Sequence, residues 1–402
     1  MSSGDAARPV AQKGAQYGRA LRFVLLLGMV GLFADMTYEG ARSINGPYLA
    51  VLGASAAAVG IIAGSGELVG YGLRLVSGRL ADRTGKYWAV VLFGYFLQIP
   101  TIPLLALAGR WEVAAVLIIL ERAGKAMRNP PRDVMLSHAT TEMGRGWGFG
   151  VHEVLDQTGA LIGPLIASAV LAARGEYTSA YALFAIPACC CLALITTARF
   201  VYPRPRDLEP NLPDVQSEGL PQVYWLYVAG AALVGAGFAD FSLVAYHFQT
   251  AATVSPTWIP VFYAIAMAVA GAGSLIFGRL FDRVGIVVLI PLTIMSALFA
   301  PLVFLGGFAL ALIGAALWGL GIGVQDSIMA AAVANMVPAN RRGSAYGIFN
   351  LGYGVFWFLG SALMGILYGV SILWVVAFAV VVQLAALPLF VLVRHESVQA
   401  QS

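Results

Sequence analysis

Four stretches of this sequence carry ionisable side chains at helical spacing in apolar surroundings. In FADMTYEGAR, residues 33–42, Asp35, Glu39 and Arg42 fall at i, i+4 and i+7 and so share one helix face. Glu67, Tyr71 and Arg74 repeat that spacing, Glu121, Lys125, Arg128 and Arg132 form a second stripe, and His152, Glu153 and Asp156 cluster further on. Desolvation raises the pKa of a carboxyl group and a neighbouring arginine lowers it, so an acid that can gain or lose an arginine partner is a proton switch. Asp35, Glu39, Glu153 and Asp156, set against Arg42 or Arg122, fit that chemistry, Asp35 foremost because it lies near the middle of its apolar run. Salt bridges that only tie helices together are the alternative for any one of them. The stripe Lys125, Arg128 and Arg132 either passes an anionic or zwitterionic group or pairs with Glu121 and Asp133.

Composition sets the solvent in which these groups work. Of the 402 residues 59% are apolar and 11% charged, with 46 glycines, against about a quarter charged in soluble domains; the mean hydropathy is +0.81. Apolar segments of roughly 20 residues, enough for a helix to cross a ~30 Å hydrocarbon core, recur along nearly the whole chain. The pattern predicts about twelve transmembrane helices, at 20–50, 56–78, 87–108, 112–137, 146–173, 178–201, 222–250, 257–279, 286–307, 309–335, 342–369 and 371–394. The polar start of the chain has no small-residue cleavage site, so the first helix is expected to be retained.

Alternating these spans gathers Arg79, Arg83, Lys86, Arg145, Arg199, Arg279, Arg283 and Arg341 on one side and leaves only Arg110 and Arg174 on the other. The positive-inside rule then puts both termini in the cytoplasm. The net charge of +4 is accordingly a topology signal and points to no nucleic acid. Cys189, Cys190 and Cys191 are consecutive within one span and read as packing residues.

Buried charge costs about 2.5 to 3.5 kcal/mol per residue on insertion scales, so this many must face one another or a water-filled cavity. The first, second, fourth and fifth spans carry nearly all of it, and the third and sixth carry none apart from Arg199 at the cytoplasmic end of the sixth. Asn129-Pro130-Pro131 is expected to interrupt the fourth span beside that cavity. In the second half Asp240, His247 and Asp326 are the clear midspan ionisable groups, and His247 can hold a proton, a metal or a substrate, or simply a packing hydrogen bond.

The chain repeats itself across the Pro- and charge-rich stretch 203–219. GLFADMTYEGAR returns as GAGFADFSLVAYH, GRLADRTGK as GRLFDRVG, GRGWGFGVH is echoed by RRGSAYGIF, and Asp133 has a counterpart in Asp326. Such duplicated units meet at an interface where substrate and ion sites lie near the midplane.

GRLADRTGK, with its degenerate second copy at the same place in the other half, closely resembles the loop motif of the major facilitator superfamily. GVHEVLDQTGALIGP, with Gly150, Gly159, Gly163 and Pro164, resembles that superfamily's antiporter motif, departing from it at Ala167 and Ser168. Arg122 sits where the family often has a proton-linked arginine, with Lys125 and Ala126 in place of its usual Gln and Gly. The resemblance implies an all-α membrane protein of twelve transmembrane helices in two pseudo-symmetric six-helix bundles. These would be a tail at 1–19, a bundle at 20–201, a linker at 202–221, a bundle at 222–394 and a tail at 395–402, all tails and the linker being cytoplasmic.

The expected function is secondary active transport of a small molecule across the cell membrane, as proton-coupled export by rocker-switch alternating access. Proton-coupled uptake of an organic anion or charged nutrient, or divalent metal efflux, stand as alternatives. No G-x-S-x-G, H-E-x-x-H or Walker A pattern is present, so no enzyme is expected, and no cofactor or resident metal. A receptor is the reading from another class. Proton coupling is assigned to Asp35, Glu39, Arg122, Glu153 and Asp156, and the substrate cavity to Arg42, Glu67, Tyr71, Arg74, Lys125, Arg128, Asp240, His247 and Asp326. A cytoplasmic gate is expected at Gly78, Asp82, Arg83, Gly278, Asp282, Arg283, Arg341 and Arg342, with Gly78 letting the second helix approach the other half. Close helix packing is assigned to Gly150, Gly159, Gly163 and Pro164. The partners are the substrate, protons and lipid, and the chain is expected to act as a monomer.

Overall fold

In the computed structural model the described residues are 10–140, 145–203, 220–325, 329, 332–333, 336–337 and 342–399, and every regular element among them is a helix. In chain order they are α1 (Val10–Val51), α2 (Ala56–Thr84), α3 (Tyr87–Gln98), α4 (Thr101–Leu104), α5 (Trp111–Thr140), α6 (Arg145–Arg174), α7 (Tyr177–Leu183) and α8 (Ala185–Val201). They continue as α9 (Gln222–Ala236), α10 (Phe241–Thr250), α11 (Trp258–Val284), α12 (Leu289–Ala297), α13 (Phe299–Leu305), α14 (Phe308–Val324), α15 (Arg342–Val370), α16 (Ile372–Leu384) and α17 (Ala386–Gln399).

Nine helical stretches among the described residues are long and apolar enough to cross a membrane, running from Tyr17–Val51 to Ile372–Glu396. One of them, Trp258–Leu305, contains a turn at Gly285, where φ is +69°. Helix α5 is excluded from the nine by its charges, and α14 by its length of 17 residues. The turns follow local chemistry. Gly85, at φ +65°, closes α2 with its N–H on the Ala81 carbonyl, so the two copies of the GRL loop motif both end a helix on a glycine with positive φ.

Three apolar cores hold the helices. Two lie in the first half of the chain, around Tyr48, Tyr181 and Phe184 and around Phe23, Tyr95 and Ile195. Charged residues of α5 pack on rings of both cores, Arg128 over Tyr95 and Lys125 over Tyr38. The second half forms one continuous aromatic core from Tyr224 through Phe238, Phe241 and Trp318 to Phe390. Cys191 is buried with its Sγ 3.6 Å from the Val30 carbonyl, and all three cysteines are free.

Helices α1 and α6 pack backbone to backbone, because a side chain at Gly159 or Gly163 would run into the main chain of Leu32 and Met36. The halves meet along α2 and α15, from Ala56 beside Gly365 to Leu75 beside Gly347, and again at the end of the molecule that holds the turns after α6 and α10. There the Ser168 hydroxyl donates to the Thr257 carbonyl at 2.8 Å, Tyr177 donates to the Gln249 side chain at 2.7 Å, and Gly46 of α1 sits against the backbone of Ser242 and Tyr246.

Two expectations need correction. Helix α5 runs unbroken through Pro130 and Pro131. A proline at 130 cannot donate to the carbonyl of Ala126, and the hydroxyl of Ser77 donates to that carbonyl instead, at 3.0 Å. Gly78 faces Pro130 of its own half, where a Cβ would stand in ordinary contact at 3.6 Å, and makes no close approach to the other half among the described residues.

Candidate functional site

A cavity of about 210 Å³ lies between the halves. Its charged lining comes entirely from α1, α2, α5 and α6, as Asp35, Glu39, Arg42, Glu67, Arg74, Arg122, Lys125 and Glu153, with Tyr38, Tyr71 and Gln157 between them. The facing wall, from α11, α14, α15 and the residue that follows α14, is Met267, Ala270, Ser274, Ile322, Gly323, Gln325 and Trp357, with no charge among the described residues.

Arg42 is the junction of the charged wall. One of its terminal nitrogens lies 3.3 Å from Glu67 and 3.0 Å from Asp240, which is buried behind the lining and belongs to the other half. Arg122 reaches Glu67 at 3.1 Å and Glu121 at 3.7 Å, and hydrogen-bonds the Tyr38 hydroxyl. Lys125 lies 3.7 Å from Glu39 and 3.6 Å above the Tyr38 ring. Glu39 accepts a 2.5 Å hydrogen bond from Tyr263, a second tie across the halves.

Deeper in the first half, Arg128 is fully buried. It donates to Gln98 at 2.6 Å and to the Tyr95 hydroxyl at 2.9 Å, and lies 3.8 Å from Asp35. Gln98 uses its other end to donate to Glu121 at 2.9 Å. Asp156 is approached by Arg132 at 3.8 Å and by His152 at 3.3 Å. Glu153 is exposed and accepts from Gln157 at 2.9 Å. Nearly every cation in this layer thus has a carboxylate close by, as low-dielectric burial demands.

Asp240 owes its position to a break within the seventh span. Helix α9 stops at Ala236 and α10 starts at Phe241, with the Asp240 carboxylate accepting from the Ser242 N–H at 2.8 Å as an N-cap. Carbonyls freed by the break are satisfied by side chains: Gln383 donates to Gly237 at 2.9 Å and Trp318 to Ala239 at 2.8 Å.

The structure gathers most of the residues read from the sequence into this network. His247 stands apart from the cavity lining, its Nδ1 2.9 Å from the Tyr368 hydroxyl and its ring against Phe304. Arg83, Asp282 and Arg283 are exposed at helix ends. Asp326 and Arg341 lie outside the described residues, as do the side chains of Asp82 and Arg342. A Cβ at Gly150 would meet nothing within 4 Å, unlike one at Gly159 or Gly163. Among the described residues no group of three or more His, Cys, Asp and Glu is placed to hold a metal.

Sequence reasoning missed Gln98, Tyr38, Tyr95, Tyr263 and Trp357. Gln98 had a signal, being a lone amide in a span otherwise free of charge. The tyrosines had none, since only the fold puts their hydroxyls beside charged groups.

Residues 26–323 match the family model described as Major Facilitator Superfamily. An uncharacterized protein of Mycobacterium tuberculosis is 42% identical over 384 residues, covering 93% of each chain. The multidrug resistance protein MdtH of Proteus mirabilis is 31% identical over 149 residues, 37% of this chain and 36% of that protein. Among solved structures, a mutant of the nucleoside transporter NupG superposes with a TM-score of 0.75 at 14% identity, covering 92% of this chain and all of that one; at that identity the likeness concerns the fold.

Proposed function

The chain belongs to the major facilitator superfamily, the family of membrane transporters for small substrates, and on that premise we propose that it is a proton-coupled exporter working by rocker-switch alternating access. In this reading twelve transmembrane helices form bundles at 20–201 and 222–394 that rock about the cavity, joined by the cytoplasmic stretch 202–221. Both termini face the cytoplasm of the cell membrane, and one chain is the working unit. The partial match to MdtH and the antiporter-like glycines Gly159 and Gly163 on the α1 backbone favour export over uptake.

The observation that carries the reading is the pair of ties from α1 to the other half on the cavity wall, Arg42 to Asp240 at 3.0 Å and Tyr263 to Glu39 at 2.5 Å. The halves cannot separate there without breaking both. A proton on one of the carboxylates weakens its hold on the neighbouring cation and lowers the cost of separation. Asp35 is the coupling acid in this scheme. It lines the cavity, and Arg128 at 3.8 Å is its ion-pair partner, with no direct hydrogen bond among the described residues. Glu39, Glu153, Asp156 and Arg122 complete the proton-linked set, and the cytoplasmic loop after α2 acts as the gate.

The test is accumulation in everted membrane vesicles of cells overproducing the protein, with a mixed library of drugs, organic anions and organic cations read by mass spectrometry. At least one compound is expected to accumulate when respiration acidifies the lumen, and to leave when nigericin collapses the pH gradient. Accumulation that is indifferent to the gradient contradicts proton coupling, and none from any compound contradicts export.

A further inference from the structure

The cavity has an unbalanced hydrogen-bonding inventory. Four of its lining residues carry a buried side-chain nitrogen with no partner, namely Nε of Arg42, Nε of Arg74, Nε2 of Gln325 and Nε1 of Trp357. All four are donors. No carboxylate or hydroxyl oxygen of the described lining is orphaned in the same way; the other unpartnered atoms, Arg128 Nη2, Asn129 Oδ1, His152 Nε2, Asp156 Oδ1 and Ser361 Oγ, lie outside it. Trp357 is 3% exposed, and its N–H, which can only donate, ends unmet at the cavity wall. A buried donor left unsatisfied is costly, so what enters this space is selected to supply acceptors.

Charge points the same way. Arg42, Arg122 and Lys125 each have a carboxylate within 3.7 Å, whereas Arg74 makes no ion pair among the described residues and rests over the Tyr71 ring, its guanidinium carbon 5.1 Å from the centroid. A chain of edge-to-face aromatic contacts links Arg74 to Trp357 across the α2–α15 seam, Tyr71 to Tyr353 at 5.6 Å and Tyr353 to Trp357 at 5.5 Å. On the same side Met267, Ala270 and Ile322 offer apolar surface beside Ser274 and Gln325. Glu153, the lining acid without an ion pair among the described residues, belongs to α6, the helix that packs on α11 rather than on α15.

We propose that the substrate is an amphipathic organic anion, its carboxylate, phosphate or sulfonate held by Arg74 and the Trp357 N–H at the α2–α15 corner and its apolar body laid against Met267 and Ile322. This rests on the transporter reading above and names the substrate class of the same cavity. Arginine suits the role because its planar fork meets an oxyanion with two parallel donors while its face stacks on Tyr71. The neighbouring ion pairs supply the rigid background, and the uncharged far wall accepts apolar groups of varied shape.

The test compares ligands that differ only in the head group: 4-phenylbutyrate, 4-phenylbutyl phosphate, 4-phenylbutanamide and 4-phenylbutylamine. Binding to the purified full-length protein in neutral detergent is read by thermal stabilisation and by tryptophan fluorescence. The two anions are expected to bind at least tenfold more tightly than the amide and amine. Arg74→Gln should remove that preference, Arg74→Lys should keep part of it, and Trp357→Phe should weaken the anions alone. The melting temperature of each variant without ligand reports whether it has folded. Equal binding of amide or amine, undiminished anion binding by folded Arg74→Gln, or no binding by any of the four overturns the proposal. Palmitate against palmitamide then tells a lipid source of the anionic head from a soluble one. Anion-selective binding without flux of labelled 4-phenylbutyrate in proteoliposomes would leave this site standing and remove the transport reading, while flux of the amine in preference would do the reverse.

Discussion

Gly46 lies where α1 crosses α10, and a methyl group there tests whether backbone contact between the halves closes that end of the molecule. A Cβ on Gly46 would stand 2.8 Å from the Ser242 carbonyl carbon and 2.9 Å from the Tyr246 nitrogen, both main-chain atoms that cannot swing away. Ordinary carbon contacts need about 3.5 to 4.0 Å, so the two helices must part by roughly 1 Å. Overpacking of that size costs about 1–3 kcal/mol. Only the state in which the helices touch bears it, so Gly46→Ala should shift the ratio of the two states about 5- to 150-fold toward separation at that end.

The assay is pulsed electron–electron resonance between spin labels at Glu176→Cys and Ser255→Cys, exposed positions of the two halves at the same end, with the native cysteines replaced. The expected result is growth of a longer-distance population in Gly46→Ala. Gly72→Ala should leave the distribution unchanged, because a Cβ there meets nothing within 4 Å. An identical distribution in Gly46→Ala and the parent would refute the reasoning, since the closed contact would then tolerate a group for which the structure has no room.

Other substitutions probe the charged layer. Arg42→Gln should lower the melting temperature more than Asp240→Asn, because it takes from Asp240, 1% exposed, its ion-pair partner at 3.0 Å, whereas Asp240→Asn leaves Arg42 its Glu67 partner at 3.3 Å; removing one member of a buried pair costs about 3–5 kcal/mol, and differential scanning fluorimetry orders the two. Gln98→Leu keeps the side-chain size but deletes bonds to both Arg128 and Glu121, each worth about 1.5–3 kcal/mol as a bond to a charged group, and should produce a less stable protein whose Glu121→Gln double variant recovers part of the loss. Replacing Cys189, Cys190 and Cys191 together by alanine should leave transport intact and insensitive to dithiothreitol, as free packing thiols require.

Much of the site was legible in the sequence, because charge inside an apolar span is expensive and therefore conspicuous. Asp35, Glu39, Arg42, Glu67, Arg74, Arg122 and Lys125 all line one cavity, as helical spacing and the cost of lipid exposure required. The partners were not legible. Whether Arg42 meets Glu67, Asp240 or both depends on the rotation of three helices, which periodicity leaves free by tens of degrees. The break at 237–240 was hidden for a different reason: hydropathy runs smoothly through it, and only the N-cap geometry of Asp240 marks it. The unbroken α5 shows the converse, a local signal overruled by tertiary context, since Ser77 on α2 supplies the hydrogen bond that Pro130 cannot. His247 was ambiguous as a type and became a packing residue through Tyr368, whose approach no spacing rule could foresee.

The account stands or falls on whether protons move with substrate through this cavity. The direct measurement is lumenal pH, read from trapped pyranine in proteoliposomes, as amphipathic anions, drugs and divalent cations are added outside to wild type and to Asp35→Asn. The account predicts a pH transient with one class of compound in the wild type and none in Asp35→Asn. A compound that crosses with no transient, or transients of equal size in both proteins, would contradict it.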